Sequence, residues 1–528
     1  MRKPARQDFG PTTGVYFRYG QSRLPSTMDV VCYDCETSGT DVRHGQIYQF
    51  GCVFAGQDLV ETDTAEVRIR RLPYVVPSPG ALTVTGLTLD EIDGADRHEE
   101  YEGAIEIARH LGFPPGIRRR LYLTFNGIKY DDKLIETTLD RNLRDSRYLT
   151  HPREQGRPFR DTQKILQAHR IDMLPVIQLA SVMAPDAIRL PTRDDGKASM
   201  RLADVAEANA IPIRAHDALG DARATLALAR LVRDRAPAVW EAVRRTTNVN
   251  KARAHLNAEV DAERPIWLYR HFGKGEVVPC LVVRQKPNKF FLADLNMLDE
   301  PLPEGLEPNG LKGLMGRGGH VHHLKFIDAP YLLTAAEAAP IAPPYAVPMA
   351  EEAMARVRDG VYAERLAELR RRIDGDAYAD FPNATPEELA HKNYWLSDAD
   401  KGRLDRFCAA PDWESRAGIE FECPRLRDYA ARLVAMRCDL DALARGSRGR
   451  EGLKPERIAQ IRRDAAAALA RPYAEGDVRW LTAAAACASE EADEAYREWA
   501  ATAYDPTQGR VGVVPPADPE PPQAAFRF

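Results

Sequence analysis

Three short stretches of this chain concentrate residues suited to hydrolytic or metal chemistry. The first is Asp34-Cys35-Glu36-Thr37, at the end of a Val- and Tyr-containing run that reads as a strand over 29–34. On a strand, residues 34 and 36 share a face, so two carboxylates stand side by side and repel each other. A divalent cation with a taste for hard oxygen ligands, Mg2+ or Mn2+, relieves that repulsion. A solvated edge strand with two surface acids is the other reading of the same residues. The second stretch is Asn126-Gly127-Ile128-Lys129-Tyr130-Asp131-Asp132, after a short apolar strand at 121–125. It puts carboxylate at a strand's carboxyl end, where open α/β sheets hold ligands; a plain acid at a helix N-terminus fits equally. The third is His216-Asp217-Ala218-Leu219-Gly220-Asp221, at the opening of an amphipathic helix. Asp217 is the expected N-cap, Asp221 lies four residues on along the same face, and His216 offers an imidazole of near-neutral pKa for general-base work.

Asp34, Glu36, Asp131 or Asp132, and Asp221 together would bring about four negative charges into one pocket. Two divalent ions about 4 Å apart would balance them. The thiols of Cys32 and Cys35 form a CxxC, but three residues apart on a strand they point to opposite faces, and no second CxxC completes a four-thiolate site. His320, His322 and His323 occupy a strand-like piece with no acid or Cys beside them in the sequence, and are read as structural.

The elements that must position these residues form an α/β layered block. Strands are expected at 29–34, 46–55, 66–71 and 121–125, with helices at 99–111, 131–143, 201–209 and 217–234. Thr88 and Glu91 form a capping box at a helix start. Residues 141–170 hold seven Arg and one Lys against three acids. This block runs over 29–235. Residues 240–348 contain four short strand candidates separated by Gly and Pro, the mark of a small β-barrel or SH3-like module. Residues 350–504 are helical in composition. A mobile leader is expected over 1–28 and a disordered tail over 505–528.

The whole chain has 528 residues, 44 % hydrophobic and 29 % charged, with a net charge of −5. That balance excludes a collagen-like or wholly disordered protein and a passive basic nucleic-acid coat, but not an enzyme with a local basic groove. No apolar run reaches the 18 or so residues a membrane helix needs. Met1 to Asp8 has no apolar core behind its positive charges, so no secretory signal is expected. Eight scattered Cys fit a reducing cytoplasm.

In that order, D-x-E, Asp and His-x4-Asp are the pattern of the DEDDh exonucleases. The chain resembles one family within them, bacterial exonuclease I. The resembling stretches are Tyr33 to Thr40, Pro79 to Thr88, Phe125 to Asp132, Arg201 to Asn209, Ala215 to Ala218 with Asp221, and Tyr394 to Asp400. The resemblance implies a ribonuclease H-like DEDDh exonuclease domain, an SH3-like β-barrel domain and a C-terminal all-α domain, closing a channel around one DNA strand. It implies 3′→5′ hydrolysis of single-stranded DNA to 5′-mononucleotides in DNA repair or recombination, with two Mg2+ ions for which Mn2+ can substitute. Asp34, Glu36 and Asp221 then resemble the metal ligands, Asp131 the fourth carboxylate with Asp132 its uninvolved neighbour, and His216 the base that takes a proton from the attacking water. Glu36, Arg201, Thr37 and Asn126 are the implied substrate-binding residues. A cytoplasmic monomer with single-stranded-DNA-binding protein as a partner is expected. The Arg-rich 144–160 stretch, where the family carries more aromatics, leaves individual DNA contacts unassigned. A DEDDh nuclease on RNA ends and a non-catalytic single-stranded-DNA-end binder remain the alternatives.

Overall fold

The computed structural model describes residues 29–502 except 115–116, 118, 148–166, 214–215, 271–274, 287–288, 304–313, 316–318, 326–330, 376–383, 390–395, 447–451 and 474–478. The expected leader 1–28 and tail 505–528, most of the Arg-rich 144–160 stretch, and Tyr394 and Trp395 lie outside the described residues.

The first sheet has five strands in the order β3-β2-β1-β4-β5: β1 (Asp29–Thr37), β2 (Ile47–Ala55), β3 (Glu61–Arg68), β4 (Arg119–Thr124) and β5 (Gln167–Asp172). β1, β2 and β3 pair antiparallel; β4 and β5 continue parallel to β1. This mixed order is the ribonuclease H-like arrangement. β2 is buried along its whole length because both faces of the sheet are covered. Val30, Cys32, Val53, Leu121 and Leu123 face one layer, which includes the helices Met173–Met183 and Ala218–Arg235. Val31, Tyr33, Cys35, Phe50, Cys52 and Tyr122 face the other, with helices Glu100–Leu111 and Asp131–Arg141. Cys32 and Cys35 therefore lie on opposite faces, as strand alternation requires.

The third strand runs Glu61–Arg68 rather than 66–71; its exposed polar start, Glu61-Thr62-Asp63, has no apolar alternation to mark it in the sequence. β5 has no counterpart among the sequence expectations. Its polar residues are buried with distant partners: His169 Nδ1 meets Thr247 Oγ1 at 2.8 Å, and Arg170 pairs with Asp132. The capping box forms as expected, with Glu91 N–H donating to Thr88 Oγ1 and Thr88 N–H to Glu91 Oε2.

A second, wholly antiparallel sheet follows in the order β10-β6-β7-β8-β9, from β6 (Ile266–Arg270), β7 (Glu276–Lys286), β8 (Lys289–Asp294), β9 (Val321–Lys325) and β10 (Leu332–Leu333). His322 here has an acidic partner that its sequence neighbours do not reveal: its Nε2 lies 3.2 Å from Asp294 Oδ2, both buried. Tyr331 Oη donates to the Asp172 carbonyl at 2.8 Å, tying this sheet to the end of β5. Beyond residue 335 the described chain is helical. The start of the stretch read as helical in composition forms two helices, Ala346–Arg358 and Ala363–Asp374, interrupted at Gly360 with φ +79°. The C-terminal helices grip the first block through the buried Arg425–Asp140 pair and through Arg437 with Glu102 at 2.6 Å, while Arg432 pairs with Glu387 at 2.6 Å inside the C-terminal part. Tyr496 Oη donates to the Pro77 carbonyl at 2.6 Å, and Trp480 stacks on Tyr74 with ring centroids 4.8 Å apart.

Candidate active site

The parallel strands β1, β4 and β5 end on one side of the sheet, and the site lies there. Asp34 and Glu36 extend from one face of β1. Across the ladder Asp34 is opposite Gly51 and Glu36 opposite Gln49. Gly51 is required: a Cβ there would lie 2.2 Å from Leu219 N, so only glycine lets the start of the Ala218–Arg235 helix come down on β2. That close approach delivers Asp221, in the helix's first turn, to the β1 carboxylates. One ligand oxygen from each of Asp34, Glu36 and Asp221 lies within 4.8 Å of the others.

Asp131 reaches the site from the other layer, as the first residue of the Asp131–Arg141 helix. It stands outside the three-acid group but close enough for its charge to act on Asp34 and Glu36. Its carboxylate accepts from the N–H and the thiol of Cys35. Asp132, expected to be the uninvolved neighbour, is fully buried and bonded to Tyr33 Oη and Arg170. Its role is structural: it anchors the helix start that carries Asp131.

The electrostatics are those of uncompensated acids. Withdrawal from water, then the charges of Asp131, Glu36 and Asp221, hold Asp34 well above the usual carboxylate range. Burial, then Asp221, Asp131 and Asp217, push Glu36 up to about 8. Burial and the charge of Asp172 carry Asp131 to about 7, against the pull of its hydrogen bonds. Burial lifts Asp221 to about 6, opposed by the His216 N–H and assisted by Asp217. Among the described residues, none of the four forms an ion pair.

A divalent cation fits this site on two observations. Three carboxylate oxygens converge, and Asp221 Oδ1 is buried with no hydrogen-bond partner. An orphaned, charged oxygen in such a place is costly unless a cation takes it.

The remaining expected residues surround this core unevenly. His216 is exposed in the left-handed conformation, φ +62°, immediately before the helix. Thr37 is buried after the bulge that ends β1, its Oγ1 2.5 Å from Tyr130 Oη. Asn126 is exposed with φ +61°, and its N–H donates to Asp172 Oδ1 at 2.6 Å. Arg201 is exposed at the N-cap of the Leu202–Ala208 helix, and no described contact joins it to the acids. Asp172 was missed in the sequence, yet its carboxylate accepts from the N–H groups of Asn126 and Leu174, fixing the β4 exit that leads to Asp131. Its signal was an Asp directly before an apolar helical run, an N-cap.

No family model matches the chain. A stretch of 236 residues is 28 % identical to exodeoxyribonuclease I of Escherichia coli K12, covering 44 % of this chain and 46 % of that protein. The chain thus spans about half the length of the curated relatives it matches. Likeness in structure extends further. An exonuclease I from Methylocaldum szegediense superposes with a TM-score of 0.67 at 22 % identity, over 89 % of this chain and 97 % of that one. Escherichia coli exonuclease I in complex with a 5cy-dA13 oligonucleotide gives 0.63 at 20 % identity, over 85 % and 93 %. An SSB/exonuclease I structure with the inhibitor CFAM gives 0.64 at 20 % identity, over 91 % and 100 %. These likenesses show the fold: the described chain has the exonuclease I architecture.

Proposed function

We propose that this chain is a metal-dependent 3′→5′ exonuclease that shortens single-stranded DNA to 5′-mononucleotides. The observation that carries the reading is the convergence of Asp34, Glu36 and Asp221 with an unpartnered, buried Asp221 oxygen. Asp34, Glu36 and Asp221 would hold Mg2+, with a second ion and Asp131 completing the set; Mn2+ serves in its place. Bound there, divalent ions supply charge neutralisation for the attacking and leaving oxygens of the phosphodiester.

The chain's own groups do the rest. His216, exposed beside Asp221, takes the proton of the attacking water. Its backbone N–H, bonded to Asp221, keeps the base in register with that carboxylate. Thr37 and Asn126 border the terminal nucleotide at the ends of β1 and β4. Arg201 faces substrate phosphate, where its planar fork gives two parallel hydrogen bonds. Residues 29–235, 240–348 and 350–504 act as exonuclease, SH3-like and helical domains around the strand. The likeness to a structure solved with an oligonucleotide and to another solved with SSB supports single-stranded DNA as substrate and SSB as partner. Among the described residues no helix is long and apolar enough to cross a membrane. We assign the protein to the cytoplasm as a monomer acting in DNA repair.

The test is digestion of a 5′-labelled single-stranded oligonucleotide with Mg2+, beside a blunt duplex, matched RNA, and the variants His216→Ala and Asp221→Ala. A ladder shortening from the 3′ end of the single strand alone, absent in both variants, is the expected result. Tight binding with no shortening would make the chain a strand-end binder. Digestion of RNA but not DNA would keep the chemistry and change the substrate.

A further inference from the structure

β2 carries one amide in an otherwise apolar or small-residue strand, Ile-Tyr-Gln-Phe-Gly-Cys-Val-Phe-Ala, and every one of these residues is buried. A buried amide costs stability unless its hydrogens are used. The Gln49 Nε2 hydrogens are both used, and both go to carboxylates: Glu66 Oε1 at 2.8 Å and Asp217 Oδ1 at 2.8 Å. Gln49 is the cross-strand neighbour of Glu36 and shares a face with Gly51, where the Ala218–Arg235 helix touches the sheet.

Asp217 is the fifth acid of the neighbourhood. Its charge raises both Glu36 and Asp221, yet it does not join the three-acid group. Its two oxygens are engaged elsewhere. Oδ1 takes the Gln49 amide, and Oδ2 caps the helix by accepting the Gly220 N–H at 3.2 Å. Asp217 sits between His216, in its left-handed turn, and the residues that lead to Asp221. Holding Asp217 therefore holds the turn that presents both.

We infer that Gln49 is a positioning residue for the reaction proposed above. Its amide keeps the Asp217 carboxylate turned to the helix N-terminus and away from the cation site, and so fixes the His216–Asp221 turn. The inference rests on the exonuclease reading for its kinetic consequence, not for the contact itself.

Gln49→Met keeps length and volume but removes both donors. In the full chain it is expected to speed amide hydrogen exchange in a peptide spanning 216–221 by about tenfold, with exchange in β4 and β5 unchanged. It is also expected to lower kcat on a single-stranded oligonucleotide by about tenfold while KM moves less than about twofold. Asp217→Ser retains a capping hydroxyl but cannot reach Gln49; the Gln49→Met/Asp217→Ser double variant should lose no more than the worse single one. Unchanged exchange at 216–221, or faster exchange with parental kcat, overturns the role, as do losses that multiply in the double variant. Should the parent chain digest no DNA, the exonuclease reading fails by itself, and the exchange arm still decides whether Gln49 holds the turn.

Discussion

Two regions of this molecule bury several acids each, and they do it in opposite ways. Along the seam between the C-terminal helices and the first block, Asp140 meets Arg425 across it, Glu387 meets Arg432 on the helical side and Glu100 meets Arg141 on the first-block side. Burial would raise the Glu387 carboxyl, but the Arg432 guanidinium, helped by His44, brings it below its usual range. At the end of β1, Asp34, Glu36 and Asp221 have no Arg or Lys partner among the described residues, and their carboxyls rise. A buried acid with its own guanidinium is architecture. A cluster of acids with none is an incomplete charge balance, which a cation from solution would complete.

The strongest way to break this comparison is to neutralise one acid in each region. Asp34→Asn is expected to lower the rate of strand shortening by about a thousandfold or more, because cation binding and charge neutralisation fail together. The same variant should fold at least as stably as the parent in EDTA, since it removes repulsion. A single-turnover assay beside thermal unfolding in EDTA checks both. A metal-free variant that is clearly less stable would mean that Asp34 has a stabilising partner and the distinction is wrong.

The counterpart is Arg432→Met. It leaves Glu387 buried without its cation, and removal of one member of such a pair costs about 3–5 kcal/mol. Urea unfolding should show a lowered midpoint with an unchanged slope. A loss below about 1 kcal/mol would place this pair with ordinary surface bridges.

Third, the two regions should respond to pH with opposite signs. Glu36 is raised in the folded protein, so its contribution to metal-free stability is fully present below the ordinary carboxyl range and is lost as pH rises toward about 8. Glu36→Gln should therefore match the parent in EDTA near pH 4 and exceed it by about 2–4 °C in Tm at pH 8. Glu387 is depressed, so its stabilisation is present at neutral pH and is lost as pH falls through its folded value. Glu387→Gln should be less stable than the parent at pH 7, the gap closing only below the ordinary carboxyl range, as pH falls through the folded value. Parallel trends in the two variants would contradict the contrast.

What was legible in the sequence follows the same division. Asp34 and Glu36 were legible because a spacing of two on a strand forces two acids onto one face. Asp221 was legible because His216, Asp217 and the helix periodicity placed it one turn into a helix. The Thr88–Glu91 box and four of the five strands of the second sheet were legible because they depend on neighbours in sequence; the two-residue β10 was not. β5 was not, because Gln-Ala-His-Arg-Ile-Asp has neither alternation nor an apolar run; its His169 and Arg170 are satisfied by Thr247 and Asp132, which only the fold brings near. Asp132 looked idle for the same reason. Gln49 and the Asp294–His322 pair share this property: each is a buried polar group whose partner lies at least 17 residues away in sequence.

The smallest expected effect tests the charge balance directly. Near pH 7 the metal-free site retains protons, since Glu36 is raised to about 8 and Asp34 is raised as well. Carboxylates must ionise to hold a hard cation, so Mg2+ binding has to expel those protons. Calorimetric titration of Mg2+ at pH 7, in buffers of different ionisation enthalpy, should report a release of roughly one to two protons per chain. The share of the release carried by Glu36 should shrink above pH 9 and be lost in Glu36→Gln. Glu387, held below its usual range by Arg432, adds nothing to this count. Binding of Mg2+ at pH 7 with no proton released would mean that the acids of β1 were ionised all along, and that their difference from the seam lies in geometry rather than in charge.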